Sequence, residues 1–181
     1  MDLPRHPVVH GHPLHAILSD GPAVMIPVAL AVEGWHRTRN DDISRQLSDA
    51  ATGAATAAAM SAGLIGWIDW LTIPGEHPVH TSATVHGLIN STGVLALVGA
   101  LTGRRRRLAL LGASTASLLV GAWIGGELVF RFGWRVRPAE EAEIAEQRLA
   151  SAGQHDAFDA ARKEVEDFEQ RKTFIPARPK V

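Results

Sequence analysis

The sequence predicts an all-α fold, a transmembrane four-helix bundle followed by a polar, partly helical C-terminal tail. Two observations carry this. Four apolar segments, His15–Trp35, Ala50–Leu71, Val85–Gly103 and Leu108–Phe130, run 21, 22, 19 and 23 residues with almost no Lys or Arg inside. About 20 residues cross a hydrocarbon core ~30 Å thick, whereas a soluble helix of that length keeps a charged face. The second observation is an abrupt change at Pro138, after which acidic and basic residues crowd a segment with few large apolar ones. Residues 1–137 are therefore expected to form the membrane domain and 138–181 an extramembrane tail.

The first segment opens on Gly11-His12-Pro13-Leu14-His15. Proline is tolerated in a first helical turn, and a helix begun by Pro13 puts His12 and His15 on one face. Asp20-Gly21-Pro22 offers a second start, with Asp20 as N-cap and the preceding residues as a re-entrant turn. The second segment carries small residues at every fourth position, Ala50, Ala54, Ala58, Ala62 and Gly66, and the fourth repeats this with Ala113, Ser117, Gly121 and Gly125. Such stripes let helix backbones approach closely in lipid and need no functional explanation. In the tail, Glu140, Glu141 and Glu143 suit a helix N-terminus, and Phe158, Ala161, Val165 and Phe168 recur at helical spacing, with a break expected near Gly153.

The loops fix an expected orientation. Arg37, Arg39 and Arg45 follow the first segment and Arg104–Arg107 the third, whereas Thr72–Thr84 has neither Lys nor Arg. Arg-rich short loops stay in the cytoplasm, so both termini and the second loop are expected outside. Arg131, Arg135 and Arg137 pull the other way but are fewer. Trp35 on one side and Trp67, Trp70 and Trp134 on the other match interfacial belts. The start of the chain lacks a basic stretch leading directly into a short apolar run and cleavage site, so the first segment is expected to stay in the protein.

Composition narrows the chemistry. With no cysteine, disulfides, thiolate zinc sites, iron–sulfur ligation and thiol nucleophiles are excluded, and any metal must be held by nitrogen and oxygen. The formal net charge of −1 and the lack of a basic stripe with interleaved aromatics argue against a nucleic-acid partner. There is no GxSxG, phosphate-cradling glycine loop or HExxH helix, so no hydrolase or nucleotide enzyme is indicated.

Six ionisable residues in or beside the apolar segments fall, by topology, at the same end of the bundle: His12, His15, Asp20, Asp69, His86 and Glu127. Charge near hydrocarbon is costly, which makes such residues site candidates. Seven of the nine histidines lie on the same expected outer side. His86 and Asn90 share a helix face, and Asp69 stands between Trp67 and Trp70.

Together, Gly11–His15, Gly66-Trp67-Ile68-Asp69-Trp70, His86-Gly87-Leu88-Ile89-Asn90 and Gly125–Arg131 resemble the bacterial four-span membrane family catalogued as domain of unknown function number twenty-two thirty-one. The likeness covers roughly residues 8–136. Members are sometimes fused to Rieske or c-type cytochrome domains, so the resemblance implies a redox context and places the polar positions at His12, His15, Asp69, His86, Asn90 and Glu127. This chain departs from the pattern at Asp20, where many relatives have histidine, and in its tail, which is neither Rieske nor cytochrome.

Three functions follow as expectations. One is a haem b electron carrier with His15 and His86 as axial ligands, since two facing imidazoles suit six-coordinate haem. Another is a haem-free zinc or iron site built from His12, His15 and His86 with Asp69 or Glu127. The third is a structural or assembly subunit whose polar layer fixes helix register. A proton relay is a further alternative. The expected partners are the lipid bilayer and a redox or membrane-complex protein meeting the tail.

Overall fold

A computed structural model of the chain describes residues 7–10 and 12–134 and, in the tail, 144–148, 151, 153, 156, 159–160 and 163. Four helices make up the bundle: α1 (Leu14–Arg39), α2 (Asp42–Trp70), α3 (Val79–Thr102) and α4 (Arg107–Phe130), with a short 3-10 turn at Arg104–Arg106. A ribbon of β1 (Val8–Val9) and β2 (His12–Pro13) precedes them, paired antiparallel. The chain divides into two compact units, Met1–Trp134 and Arg135–Val181. In the second, residues 144–148 are helical and Gly153 sits in a turn at φ 74°. Arg135, Arg137, Glu140, Glu141, Glu143 and the Phe158, Ala161, Val165, Phe168 stripe lie outside the described residues.

The chain is a four-helix, multi-pass membrane protein. Each helix is long and apolar enough to cross a bilayer, and the bundle's outer surface is apolar at mid-helix. Val24 (61% exposed), Leu64 (64%), Leu95 (70%) and Leu119 (66%) point away from the core. In water such a surface would be an aggregation liability; in lipid it is the required one. The interior is small by comparison, Ile26, Ala29, Ala55, Ala59, Leu97, Ala100 and Leu111, because alanine-lined helices pack backbone against backbone.

Helix α1 packs mainly on α2 and α3 on α4, so the bundle is two antiparallel hairpins meeting along α2/α3 and α1/α4. Helix α2 starts eight residues before the apolar segment because Asp41 caps it. The Asp41 carboxylate accepts from the Ser44 N–H at 2.7 Å, which holds its pKa below the usual carboxylate range. There is no second helix start at Asp20: α1 runs unbroken through Pro22 and Pro27, and Asp20 is exposed on its surface. Pro22 is buried against the neighbouring helices, whereas Pro27 is exposed. The small-residue stripes are also displaced. Ala50, Ala54 and Ala113 are exposed, and the buried face of α2 is instead Ser44, Ser48, Thr52, Ala55, Thr56, Ala59 and Ala62. Thr52 and Thr56 bond back to the carbonyls of Ser48 and Thr52 at 2.8 and 2.7 Å, so they bury hydroxyls without an orphaned donor.

A buried ionic cluster ties the four helices together at the Arg-rich end. Glu33 of α1 and Arg107 of α4 are only 1% and 3% exposed. Glu33 takes a hydrogen bond from Arg37 Nε at 2.7 Å and from Ser48 Oγ at 2.5 Å. Arg107 donates to Asp49 at 2.5 Å and to the Ala100 carbonyl at 3.0 Å, and its Nη1 lies 3.9 Å from Glu33. Glu33→Ala leaves Arg107 short of a buried counter-charge, and breaking such a pair costs about 3–5 kcal/mol. Unfolding of the detergent-solubilised variant by denaturant is expected to show that loss; a change below about 1 kcal/mol would mean that the cluster is solvated.

Candidate functional site

At the opposite end, two histidines from different hairpins meet. His15 lies in the first turn of α1 and His86 two turns into α3, and their ring centroids are 6.2 Å apart with planes at 84°. Each ring is held by the partner helix of its own hairpin. His15 Nδ1 donates to the Ala62 carbonyl of α2 at 3.1 Å, and His86 Nδ1 donates to the Gly121 carbonyl of α4 at 2.9 Å. Since a carbonyl can only accept, Nδ1 of each ring carries a proton, and in the neutral ring Nε2 is the nitrogen with the lone pair.

The same arrangement is built twice. Four residues beyond each accepting carbonyl is a glycine, Gly66 on α2 and Gly125 on α4. A Cβ at Gly66 would stand 2.7 Å from His15 Cε1, and one at Gly125 would stand 3.1 Å from His86 Cε1. A helix row i, i+4 presents one face, so a small residue, three intervening positions and a glycine form the seat for each imidazole. His15 on Ala62/Gly66 and His86 on Gly121/Gly125 are thus equivalent positions in two like hairpins. The lone pair on His86 Nε2 accepts from Asn90 Nδ2 at 3.1 Å, and that amide also donates to the His86 carbonyl at 3.1 Å.

The other expected site residues, His12, Asp69 and Glu127, stand at the same end of the bundle. His12 is exposed in β2, outside the helix, because α1 begins only at Leu14. The face that His12 was expected to share with His15 therefore does not form. Asp69 sits in the last turn of α2, its carbonyl taking the Thr72 N–H at 3.0 Å and the Thr72 hydroxyl at 2.6 Å. Glu127 is partly exposed in the last turn of α4. Among the described residues no three His, Asp or Glu side chains are grouped so as to hold a metal ion. His77 and His80 stack against Trp134 and Trp70, with centroids at 4.7 and 5.1 Å.

Trp67 and Trp70 follow Gly66 on α2 and meet edge to face, with ring centroids 5.4 Å apart. Their indole N–H groups donate to Ser91 and Thr84 of α3 at 3.1 and 2.9 Å, and a Cβ at Gly87 would touch the Trp67 ring at 3.2 Å. Both thus tie α2 to α3. The glycine seats were visible in the sequence only as packing stripes; their pairing with particular histidines depends on helix rotation, which periodicity does not supply. Glu33, inside the first apolar segment, was the readable sign of the buried cluster at the other end.

Gly66→Ala and Gly125→Ala are expected to push the imidazoles off their seats and to destabilise the bundle by about 1–3 kcal/mol, the cost of overpacking a fitted site. The loss should be larger at Gly66, where the approach is closer. Equal stability of both variants and wild type in detergent unfolding would show the rings to be loosely held. No protein-family model, curated protein or solved structure matches this chain.

Proposed function

We propose that the chain is a redox-associated membrane subunit in which His15 and His86 are the axial ligands of a haem b. The single observation that supports this is the doubled imidazole seat: each Nδ1–H is tied to a backbone carbonyl, leaving Nε2 as the basic nitrogen. Ligating histidines are ordinarily fixed in this way, by a hydrogen bond from the nitrogen that does not bind.

One distance favours the group. Two imidazoles on one metal, each nitrogen ~2 Å from it, have ring centres about 6 Å apart, against 6.2 Å here. Haem supplies four nitrogens itself and requires only two from the protein, which suits a site where a third protein ligand is not gathered. For the same reason zinc or iron held by His12, His15, Asp69, His86 and Glu127 is the weaker reading. When bound, haem supplies one-electron transfer. This chain's own residues hold and orient the two imidazoles through the Ala62 and Gly121 carbonyls. Asn90 would have to release His86 Nε2 for a ligand to bind there.

The arginines at the far end, Arg37, Arg39, Arg45 and Arg104–Arg107, together with a stretch from Leu71 to His86 that has none, favour a bacterial inner-membrane protein with the histidine pair on the extracytoplasmic side. The charged tail from Pro138 would then be open to a redox partner there, in keeping with the resemblance of the four motifs to a membrane family with redox-fused members.

A second reading, a structural or assembly subunit, is favoured by one feature: both ring nitrogens of His86 are already satisfied by protein, through Gly121 and Asn90. An absorption spectrum of the full-length protein, purified in mild detergent from haem-replete cells, separates the two. The haem reading expects a Soret band that is lost in His15→Ala and in His86→Ala. A colourless wild type, with alanine variants that lose only stability, would overturn it in favour of the structural role. Zinc or non-haem iron found by elemental analysis in a colourless protein would overturn it in favour of the metal site.

A further inference from the structure

The Arg-rich end of the bundle carries an open hollow of about 250 Å³. It lies where the C-terminal end of α1, the N-terminal end of α2 and the α3–α4 turn come together. Its lining holds five guanidinium groups, Arg37, Arg45, Arg104, Arg105 and Arg107, with Glu33 as the carboxylate that faces it. Arg37 and Arg107 are committed to Glu33 and Asp49, Arg104 to Asp49 at 2.9 Å, and Arg45 to the exposed Asp42 at 2.8 Å. Arg105 has no hydrogen bond or ion pair among the described residues. Three carboxylates thus serve five arginines, and two positive charges are left over around one hollow.

The framework that positions these charges is rigid. Arg37 Nη2 donates to the Arg104 carbonyl at 2.7 Å, fastening the α3–α4 turn to α1. His36 Nδ1 bonds Ser44 Oγ at 2.9 Å across the α1–α2 turn. The depth of the cavity follows from helix geometry. Glu33 is 18 residues along α1 from His15, about 27 Å at 1.5 Å per residue. The histidine layer and the arginine layer are therefore about one hydrocarbon thickness apart, which places the arginines at headgroup level.

We propose that this cavity binds a phosphate-bearing anion, namely the headgroup of an acidic phospholipid. Guanidinium groups match phosphate oxygens in pairs, basic hollows between membrane helices at the interface are natural headgroup sites, and the hollow is too small for a drug-sized ligand. Free phosphate offers the same oxygens and is the other source of that chemistry.

The test uses the full-length protein in phosphatidylcholine bilayers doped with phosphatidylglycerol, then released into detergent, with the retained lipid counted by native mass spectrometry. The variant is Arg45→Gln with Arg105→Gln, both outside the buried cluster, and the control is Arg106→Gln, in the same turn but not lining the cavity. Retained phosphatidylglycerol should fall on the order of tenfold in the double variant and stay at the wild-type level in the control. Protection of the wild type against heat by millimolar inorganic phosphate, absent from the double variant, without selective phosphatidylglycerol retention, would support the site with soluble phosphate as its source. The proposal is overturned if the control loses as much lipid as the double variant, or if neither probe distinguishes the double variant from wild type.

Discussion

A polar side chain buried among apolar helices is costly unless protein supplies partners for its hydrogen-bonding groups, because lipid offers none. This constraint shapes both ends of the bundle. At one end two imidazole N–H groups reach the carbonyls of Ala62 and Gly121, atoms already engaged in their own helices but with a spare lone pair. At the other, Glu33 and Arg107 share Ser48, Asp49 and the Ala100 carbonyl across all four helices. Between the two layers, α1–α4 present alanine and leucine to one another and branched or long apolar chains to lipid.

The doubled hairpin gives the histidine pair its meaning. Antiparallel hairpins related in this way bring their equivalent positions to one place, so a histidine seated in the first is met by its counterpart in the second. The glycine at i+4 from each accepting carbonyl removes the Cβ that would otherwise hold the ring away. Asn90 has no counterpart at the matching place on α1, where Ser19 is four residues after His15 and bonds the Ala16 carbonyl instead. The two halves therefore share a seat but differ in how Nε2 is occupied, and that difference decides whether the pair is a ligand set or a satisfied packing layer.

Much of the fold was legible in the sequence because hydrocarbon thickness imposes segment length, and the four apolar runs met it. The start of α2 was not: Ile43 and Leu47 are among its exposed apolar residues, and its cap, Asp41, stands in a charged stretch that reads as loop. The convergence of His15 and His86 followed from depth alone, since both lie near the same boundary. The place of His12 outside the helix did not, because it depends on α1 beginning only after Pro13. The stripes at Ala50 and Ala113 were misplaced for a related reason. Hydroxyl residues that bond back to their own helix, Thr52 and Thr56 above all, can occupy a buried face as readily as alanine, and hydropathy does not rank them there.

The most direct test of the central claim is solid-state NMR of the protein in bilayers with 13C,15N-labelled histidine. His15 and His86 are expected to be neutral Nδ1–H tautomers with a ring-to-ring correlation between them, both features being tied to the seats on α2 and α4. Nε2–H tautomers at both positions with no His15–His86 correlation would contradict the doubled seat.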